Sequence, residues 1–279
     1  TQWGYGIGET LTLLIPDFKG GGSSSILENE AVQTNDAFPT FYQYAGQSQQ
    51  AMMQQGVQAA PPGVNQYWGD QPFTVGPVYV GALVCLLFVL GLFIVRGPIK
   101  WALLGGTILS FLFAWGHNSP TFTNWLIDYL PMYNKFRTPS SALVVAEFTM
   151  PLLAILALAR IIREPQTVFG SKLAKIGVGV SIASTLGLAL LFALVPSAAG
   201  DTLSKADTET LQTLLPVLTP QGVAGYRDAI SQLHYAILSA SAWRSVTFLV
   251  IGVLAIGIYW QSQRKADKPS TILAATLCL

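Results

Sequence analysis

Charged residues are scarce in this chain. Asp, Glu, Lys and Arg make up 10% of its 279 residues, whereas soluble domains carry about 25%. Apolar residues make up 51%, and the mean hydropathy is +0.47. The formal net charge is +1 and the basic residues form no long run, which excludes a nucleic-acid-binding surface and predicts no nucleic-acid partner. Because so few charges cannot cover a surface in water, we expect an integral membrane protein.

Cysteine and the common catalytic motifs are also missing. The two cysteines, Cys85 and Cys278, lie in apolar runs, which excludes a disulfide scaffold and a cysteine-based metal site. The sequence has no phosphate-binding loop, no dinucleotide-binding fingerprint and no His or Cys pair at metal-ligand spacing, so the residues themselves predict neither a cofactor nor a metal. The chain begins at Thr1 and ends in an apolar stretch too short to cross a bilayer, and we expect an internal piece of a longer protein.

Long apolar runs are abundant. A helix needs about 20 mostly apolar residues to cross the hydrocarbon layer. Five segments approach or reach this length: Pro77–Val95, Trp101–Trp115, Ala142–Ile162, Leu173–Val195 and Ile237–Trp260. The second is short, so we expect it to borrow residues from 99 to 116. The predicted fold is all-α, a polytopic transmembrane bundle of about five complete spanning helices, with outer-face loops that carry short amphipathic helices.

The spans divide the chain into four expected regions. These are an outward-facing loop region, 1–74, with short helices; three spans in 75–163 with an outer loop, 117–141; two spans in 164–263 with an outer amphipathic segment, 197–235; and a cytoplasmic link with the start of a truncated helix, 264–279. Short helices are predicted over Glu9–Pro16, Gln43–Gln58, Ala206–Leu215 and Val223–Tyr235, and Gly20–Ser25 is predicted to be a flexible link.

Basic residues set the predicted orientation. Nine of the 15 Lys and Arg fall in short loops on one side: Arg96, Lys100, Arg160, Arg163, Lys172, Lys175, Arg264, Lys265 and Lys268. Such residues accumulate in short cytoplasmic loops. This side is therefore predicted to be cytoplasmic, and residues 1–74 to face the exterior.

The outer loop between the second and third spans is the richest in polar groups. Asn134, Lys135 and Arg137 precede a helix that starts near Pro139, and His117 lies just outside the second span. Two cations beside free helix N–H groups form a receptor for a phosphate. The phosphate of a ligand and the phosphate of a membrane lipid are equally consistent with this pattern.

Two charges fall inside predicted spans. Glu147 lies about 9 Å below the outer end of the third span, and Arg244 lies in the outer part of the fifth. Charges in hydrocarbon are costly unless they are paired or face a wet cavity. We expect the two side chains to face one another or a shared cavity; the alternative is that Arg244 snorkels to the interface.

Three outer acids lie near aromatic residues: Glu9, Asp17 and Asp70. Rings that stack on sugar faces and carboxylates that hold hydroxyls are what a sugar-binding groove uses, so these are candidates to line a cavity. The alternative is that they are solvated loop carboxylates or helix caps. His234 and Asp228 are interpreted as surface groups.

Three stretches resemble a known family. Tyr67–Gly81, Trp115–Asn118 and Leu130–Pro139 (LPMYNKFRTP) look like the YfhO family of bacterial membrane proteins, and Glu9–Lys19 (ETLTLLIPDFK) fits the form typical of Bacteroidetes members. The resemblance runs from residue 1 to about 165 and continues beyond as helix order.

The resemblance implies an enzyme similar to glycosyltransferases of the GT-C architecture in a bacterial inner membrane. Such enzymes transfer a sugar from a polyprenyl-phosphate donor to a glycan or envelope-polymer acceptor on the outer face. It also implies a catalytic acid, or a divalent-metal ligand, in a first outer loop upstream of this chain, which alone is expected to be inactive. Asn134, Lys135 and Arg137 then become the candidate grip on the donor phosphate.

Two other functions remain open. A transporter or flippase of a lipid-linked or small polar substrate also uses an outer cavity and an intramembrane acid such as Glu147. A non-catalytic membrane scaffold has no need of either.

Overall fold

The computed structural model describes residues 3–54, 64–129, 138–214 and 218–265, and these contain helices and no β-strand. The main helices are α1 (Phe38–Gln54), α2 (Ala82–Ile94), α3 (Ile99–Trp115), α4 (Pro120–Tyr129), α5 (Leu143–Arg163), α6 (Lys172–Leu194), α7 (Lys205–Thr213) and α8 (Pro220–Lys265). Shorter helical turns are Gly8–Leu13, Ile26–Glu28, Glu30–Gln33, Gly116–Asn118, Pro139–Ala142, Pro165–Gly170 and Pro196–Ala199. The all-α class is confirmed.

Among the described residues, four stretches are long and apolar enough to cross a membrane: Ile99–Asn118, Pro139–Arg163, Lys172–Leu194 and Pro220–Gln263. They include four of the five predicted spans, and α3 takes in Ile99 as expected. The chain is therefore a helical protein with membrane-type helices.

The chain folds into two units that alternate along the sequence. Unit 1 comprises the residues up to Ile15, Val78–Leu190 and the residues from Trp243 on, whereas unit 2 comprises Pro16–Pro77 and Leu191–Ala242. The units cut across the four regions expected from hydropathy, because segments far apart in sequence pack together.

The first predicted span is shorter than expected. α2 begins at Ala82 rather than Pro77 and has 13 residues, so it is only about 20 Å long. Gly81, with φ +109°, ends the extended segment before it. The middle of α2 is buried, with Leu86 and Leu90 at 2% and 3% exposure. A helix that is apolar on all sides is typical of a buried position, and α2 is packed inside unit 1.

Close packing holds the other helices of unit 1 against α2. α5 packs on both α2 and α3, and a side chain added at Gly91 of α2 would come within 2.9 Å of Leu153 on α5. Between α3 and α5, the hydroxyls of Thr107 and Thr149 lie 2.7 Å apart. Small residues and hydroxyl pairs of this kind join helices within membranes.

The last helix differs from the prediction. Val223–Tyr235 is not a separate helix but part of α8, which runs for 46 residues from Pro220. Proline is favoured in the first helical turn, where its missing N–H has no intrahelical acceptor, and no breaker follows it. The helix predicted over Ala206–Leu215 is confirmed as α7, which begins with a capping box formed by Ser204 and Asp207.

The predicted flexible link is also ordered. Residues 19–26 pair with residues 64–74 through backbone hydrogen bonds such as Ile26 N to Val64 O at 3.0 Å and Trp68 N to Lys19 O at 3.0 Å. Gly20 has φ +81°, and an added Cβ would lie 1.7 Å from the Gln66 carbonyl oxygen. Glycine is therefore required there by both the backbone angle and the close approach.

Candidate functional site

Residues 3–15 of unit 1 pack against the C-terminal end of α3. The Tyr5 backbone N–H donates to the Ala114 carbonyl at 2.8 Å, and the Asn118 side-chain amide donates to the Tyr5 carbonyl at 3.0 Å. The Trp115 indole N–H donates to the Thr10 hydroxyl at 3.0 Å. These bonds fix the segment that carries Glu9 beside the turn that carries His117.

Two glycines make this close packing feasible. A Cβ added at Gly4 would lie 2.4 Å from Nδ1 of His117, and one added at Gly116 would lie 3.1 Å from the ring of Pro139. Gly116 also has φ +50°. The N-terminal segment, the 116–118 turn and the turn that begins at Pro139 therefore converge at one place in unit 1.

A buried polar cluster lies in the N-terminal segment. The hydroxyls of Tyr5 and Thr12 lie 2.9 and 2.7 Å from the Glu9 carbonyl oxygen and contact each other. The Glu9 residue itself is only 2% exposed. Burial raises the pKa of the Tyr5 phenol above its ordinary range; the hydrogen bond to Thr12 opposes this effect, and the charges of Glu9 and Glu147 add to it. Both carboxylates therefore act on the same hydroxyl.

Three predicted site residues of unit 1 are exposed. His117 is exposed on the turn at the end of α3, and Glu147 and Arg244 have exposed side chains on α5 and α8. That the side chains of Glu147 and Arg244 face one another or a shared cavity stays a prediction. Asn134, Lys135 and Arg137 lie outside the described residues; Pro139, two positions after Arg137, is the residue that packs on Gly116.

Asp17 and Asp70 belong to unit 2. Asp17 is partly buried, and its backbone N–H donates to the Ser241 hydroxyl at 3.1 Å. Asp70 is exposed after the paired segment that contains Trp68. The structure thus divides the candidate cavity acids between two units, with Glu9 in one and these two in the other.

The interpretation of His234 as a surface group is wrong. Its side chain is fully buried in unit 2, where it stacks on Trp68 with ring centroids 4.3 Å apart. Asp228, by contrast, is exposed as expected. A signal was present in the sequence, because Tyr226, Ile230, His234 and Leu238 recur every four residues and so share one face of a helix. All four are buried.

Both nitrogens of His234 face carbonyl oxygens. Nδ1 lies 2.7 Å from Thr202 O, and Nε2 lies 3.1 Å from Asn65 O. Burial lowers the pKa of His234 below its ordinary value of 6.5, and Lys19 acts in the same direction, against the Asp207 carboxylate and the two carbonyls. A neutral ring can donate to only one of these two carbonyls, and the tautomer decides which one accepts.

The chemistry available in unit 1 is that of an acid and a histidine. Within the described residues, no group of three or more His, Cys, Asp or Glu is placed to hold a metal ion. Glu9 and His117 can bind hydroxyls or move protons, whereas the hydroxyls of Tyr5 and Thr12 are engaged with the backbone.

Comparisons with protein-family models, with curated proteins and with solved structures found no match to this chain.

Proposed function

We propose that this chain is part of a membrane glycosyltransferase similar to those of the GT-C architecture. The enzyme transfers a sugar from a polyprenyl-phosphate donor to an envelope acceptor on the outer face of a bacterial inner membrane. The observation that carries the proposal is the convergence of the N-terminal segment, the turn of His117 and the Pro139 turn in a unit that contains membrane-type helices. A lipid-linked donor reacts where apolar helices meet polar groups, and this is such a place.

The chemistry assigns a role to the residues before Pro139. As the glycosidic bond breaks, the leaving phosphate gains negative charge, and fixed cations then stabilise the transition state more than the ground state. Lys135 and Arg137 are the cations nearest in sequence to this turn, and the N-terminal N–H groups of α5 follow it. His117, which is exposed on the turn that meets Pro139, holds sugar hydroxyls in this scheme.

A transporter or flippase is the second candidate. The observation that favours it is the exposure of Glu147 and Arg244 on helices that are long and apolar enough to cross a membrane. Ionisable side chains at such positions mark aqueous paths through membranes.

The test is sugar transfer by the full-length protein in membranes, with a radiolabelled polyprenyl-phosphate sugar. Arg137→Ala is expected to lower turnover by about a hundredfold, as for the loss of one transition-state donor, with unchanged expression and insertion. Arg227→Ala is the matched control, because Arg227 is an exposed residue of unit 2 whose ion pair with Asp201 is also exposed. Unchanged turnover in Arg137→Ala would contradict the phosphate grip, and substrate movement without transfer would favour the transporter.

The predicted orientation of the chain in the membrane is tested separately. A cysteine introduced at Asn134 is expected to react with a membrane-impermeant maleimide added from outside intact cells. Reaction only after the cytoplasm is exposed would reverse the topology and remove the proposed outer-face activity.

A further inference from the structure

A basic pocket lies in unit 1 at the end where α2 stops and α6 begins. Its volume is about 340 Å³, and its lining includes the three cationic residues Arg96, Lys100 and Arg160. No acidic residue is among the described residues that line it. A concave, positively charged site of this size has room for a phosphate-bearing headgroup.

Local contacts hold the cations in place. The Lys100 ammonium donates to the Leu92 carbonyl at 2.7 Å and lies 5.2 Å from the ring of Trp101. Arg160 forms an ion pair with Glu164 at 2.9 Å, and its side chain is 16% exposed against 45% for Glu164. One carboxylate therefore opposes three cations, and the pocket keeps a positive charge.

The start of α6 adds hydrogen-bond donors. Ser171, Leu173 and Ala174 line the pocket, and α6 begins at Lys172. The first N–H groups of a helix have no intrahelical acceptor and lie at the positive end of its dipole. The cations and these N–H groups favour the same kind of ligand, an anion.

An apolar slot lies beside the basic pocket. It has a volume of about 350 Å³ between α2, α6 and α8 and is lined by Leu90, Val178, Ile182 and Val253, with Lys175 and Trp260 also in its wall. Ala174 lines the basic pocket and the next residue, Lys175, lines the slot. From Lys175 to Ile182 the slot extends about 10 Å along α6.

The geometry points to a binding site for an anionic phospholipid. The phosphate lies in the pocket of Arg96, Lys100 and Arg160, and one acyl chain lies in the slot. Basic pockets between membrane helices bind anionic headgroups. A zwitterionic lipid would place its ammonium among three cations, and a soluble phosphate has no chain to fill the slot. This site is independent of the proposed transferase activity.

The headgroup arm of the test uses the whole chain in a neutral detergent and measures lipid binding by native mass spectrometry. Dioleoylphosphatidylglycerol is expected to bind and dioleoylphosphatidylcholine to bind at least about fivefold more weakly. Arg96→Gln is expected to weaken binding of the anionic lipid about fivefold, since one cation is lost. Arg163→Gln is the matched control, because Arg163 is a basic residue at the end of the same helix as Arg160 but does not line the pocket.

The acyl-chain arm uses a change without charge. Gly257 lines the slot and has no neighbouring atom within 4 Å of an added Cβ, so the backbone has room for a side chain there and Gly257→Phe places a ring at the slot. It is expected to weaken binding of the lipid about tenfold. Gly187→Phe is the matched control, because Gly187 has equal free space and lies outside the slot.

Three results would overturn the proposal. They are equal binding of the two lipids, equal losses in Arg163→Gln and Arg96→Gln, and binding of glycerol 1-phosphate as tight as that of the intact lipid. The first would show that the cations do not select the headgroup, the second would reduce the effect to general surface charge, and the third would assign the pocket to a soluble anion.

Discussion

One face of α5 in unit 1 and one face of α8 in unit 2 place their apolar side chains in opposite environments. In unit 1, α5 exposes Val144, Phe148 and Ile155 at 62%, 67% and 62%. In unit 2, Tyr226 and Leu233 are fully buried, as in the core of a water-soluble domain. Only a hydrocarbon solvent makes the first arrangement favourable. The exposed face of α5 is therefore suited to contact with lipid.

Buried polar groups differ between the units as well. In unit 1, the hydroxyls of Thr107 and Thr149 bond to carbonyls of their own helices and to each other. Unit 2 buries a histidine as well as a carboxylate, His234 and Asp207, at 0% and 5% exposure, whereas unit 1 buries the acidic residue Glu9 at 2%. Hydroxyls that share backbone acceptors cost little in hydrocarbon, whereas ionisable groups need a dense polar surrounding.

The largest expected effect comes from a charge on the exposed face of α5. Ile155→Asp places a carboxylate near the middle of the helix and is expected to raise the free energy of insertion by about 2.5–3.5 kcal/mol. A glycosylation-based insertion assay of the α5 segment measures it. In unit 2, Tyr42 is equally exposed, at 65%, and Tyr42→Asp is expected to change the free energy of unfolding by less than about 0.5 kcal/mol.

This pair of variants tests whether the exposed face of α5 and the exposed surface of unit 2 contact different solvents. If Ile155→Asp inserts as well as the parent segment, the exposed face of α5 does not contact hydrocarbon. If Tyr42→Asp proves as costly as Ile155→Asp, unit 2 is also covered by an apolar phase or a partner.

A smaller effect is the pH dependence of stability, which we expect to arise from His234 and not from His117. His234 is buried with a lowered pKa, so the unfolded chain binds a proton at this position more readily than the folded chain. The contribution of neutral His234 to the free energy of unfolding is complete above about pH 6.5. It is lost as the pH falls toward the folded-state pKa of this residue. The melting temperature of unit 2 is expected to fall by roughly 2–4 °C between pH 7.5 and 5.5, about 1 kcal/mol.

Two substitutions locate the source of that pH dependence. His234→Gln is expected to lower stability at pH 7.5 and to remove the loss below pH 6.5, whereas substitution of the exposed His117 by Gln leaves the loss in place. The charged groups that act on His234 are Asp207 and Lys19. Persistence of the pH dependence in His234→Gln would contradict the prediction.

The smallest effect compares two buried threonines. Thr107 has partners on α3 and α5, and Thr107→Val is expected to destabilise unit 1 by about 0.6 kcal/mol. The Thr202 hydroxyl of unit 2 has no hydrogen-bond partner among the described protein groups, so Thr202→Val is expected to be neutral or stabilising by up to about 1 kcal/mol. Thermal unfolding in detergent measures both, and a loss of stability in Thr202→Val would indicate a bound water.

Hydropathy predicted where most helices lie. α3, α5 and α6 begin and end within two residues of the predicted spans, because an apolar run in hydrocarbon has only the helix available to satisfy its backbone. The length of α2 was not predictable from its composition, since Gly81 and the extended backbone before it set its start. The continuity of α8 follows from Pro220 being a helix start rather than a break.

The candidate site was predictable only in part. The residue types at Glu9 and His117 indicated chemistry, but their joint position depends on Gly4 and Gly116, whose role appears only when three segments converge. His234 was misassigned because a polar residue in an amphipathic stretch resembles a surface group. Its burial depends on Trp68 and Asn65, which are far away in sequence and give no local signal.

The alternation of the two units along the chain has a consequence for synthesis. Asn65 and His234 are 169 positions apart, and ribosomes add about 5–20 residues per second. The first segment of unit 2 therefore waits roughly 8–34 seconds for its partner while the apolar helices α2, α3, α5 and α6 are synthesised. During that interval Trp68 has not yet met His234, and Phe41 has not yet met Tyr226. The nascent chain is therefore most vulnerable to proteases and to misassembly in this segment.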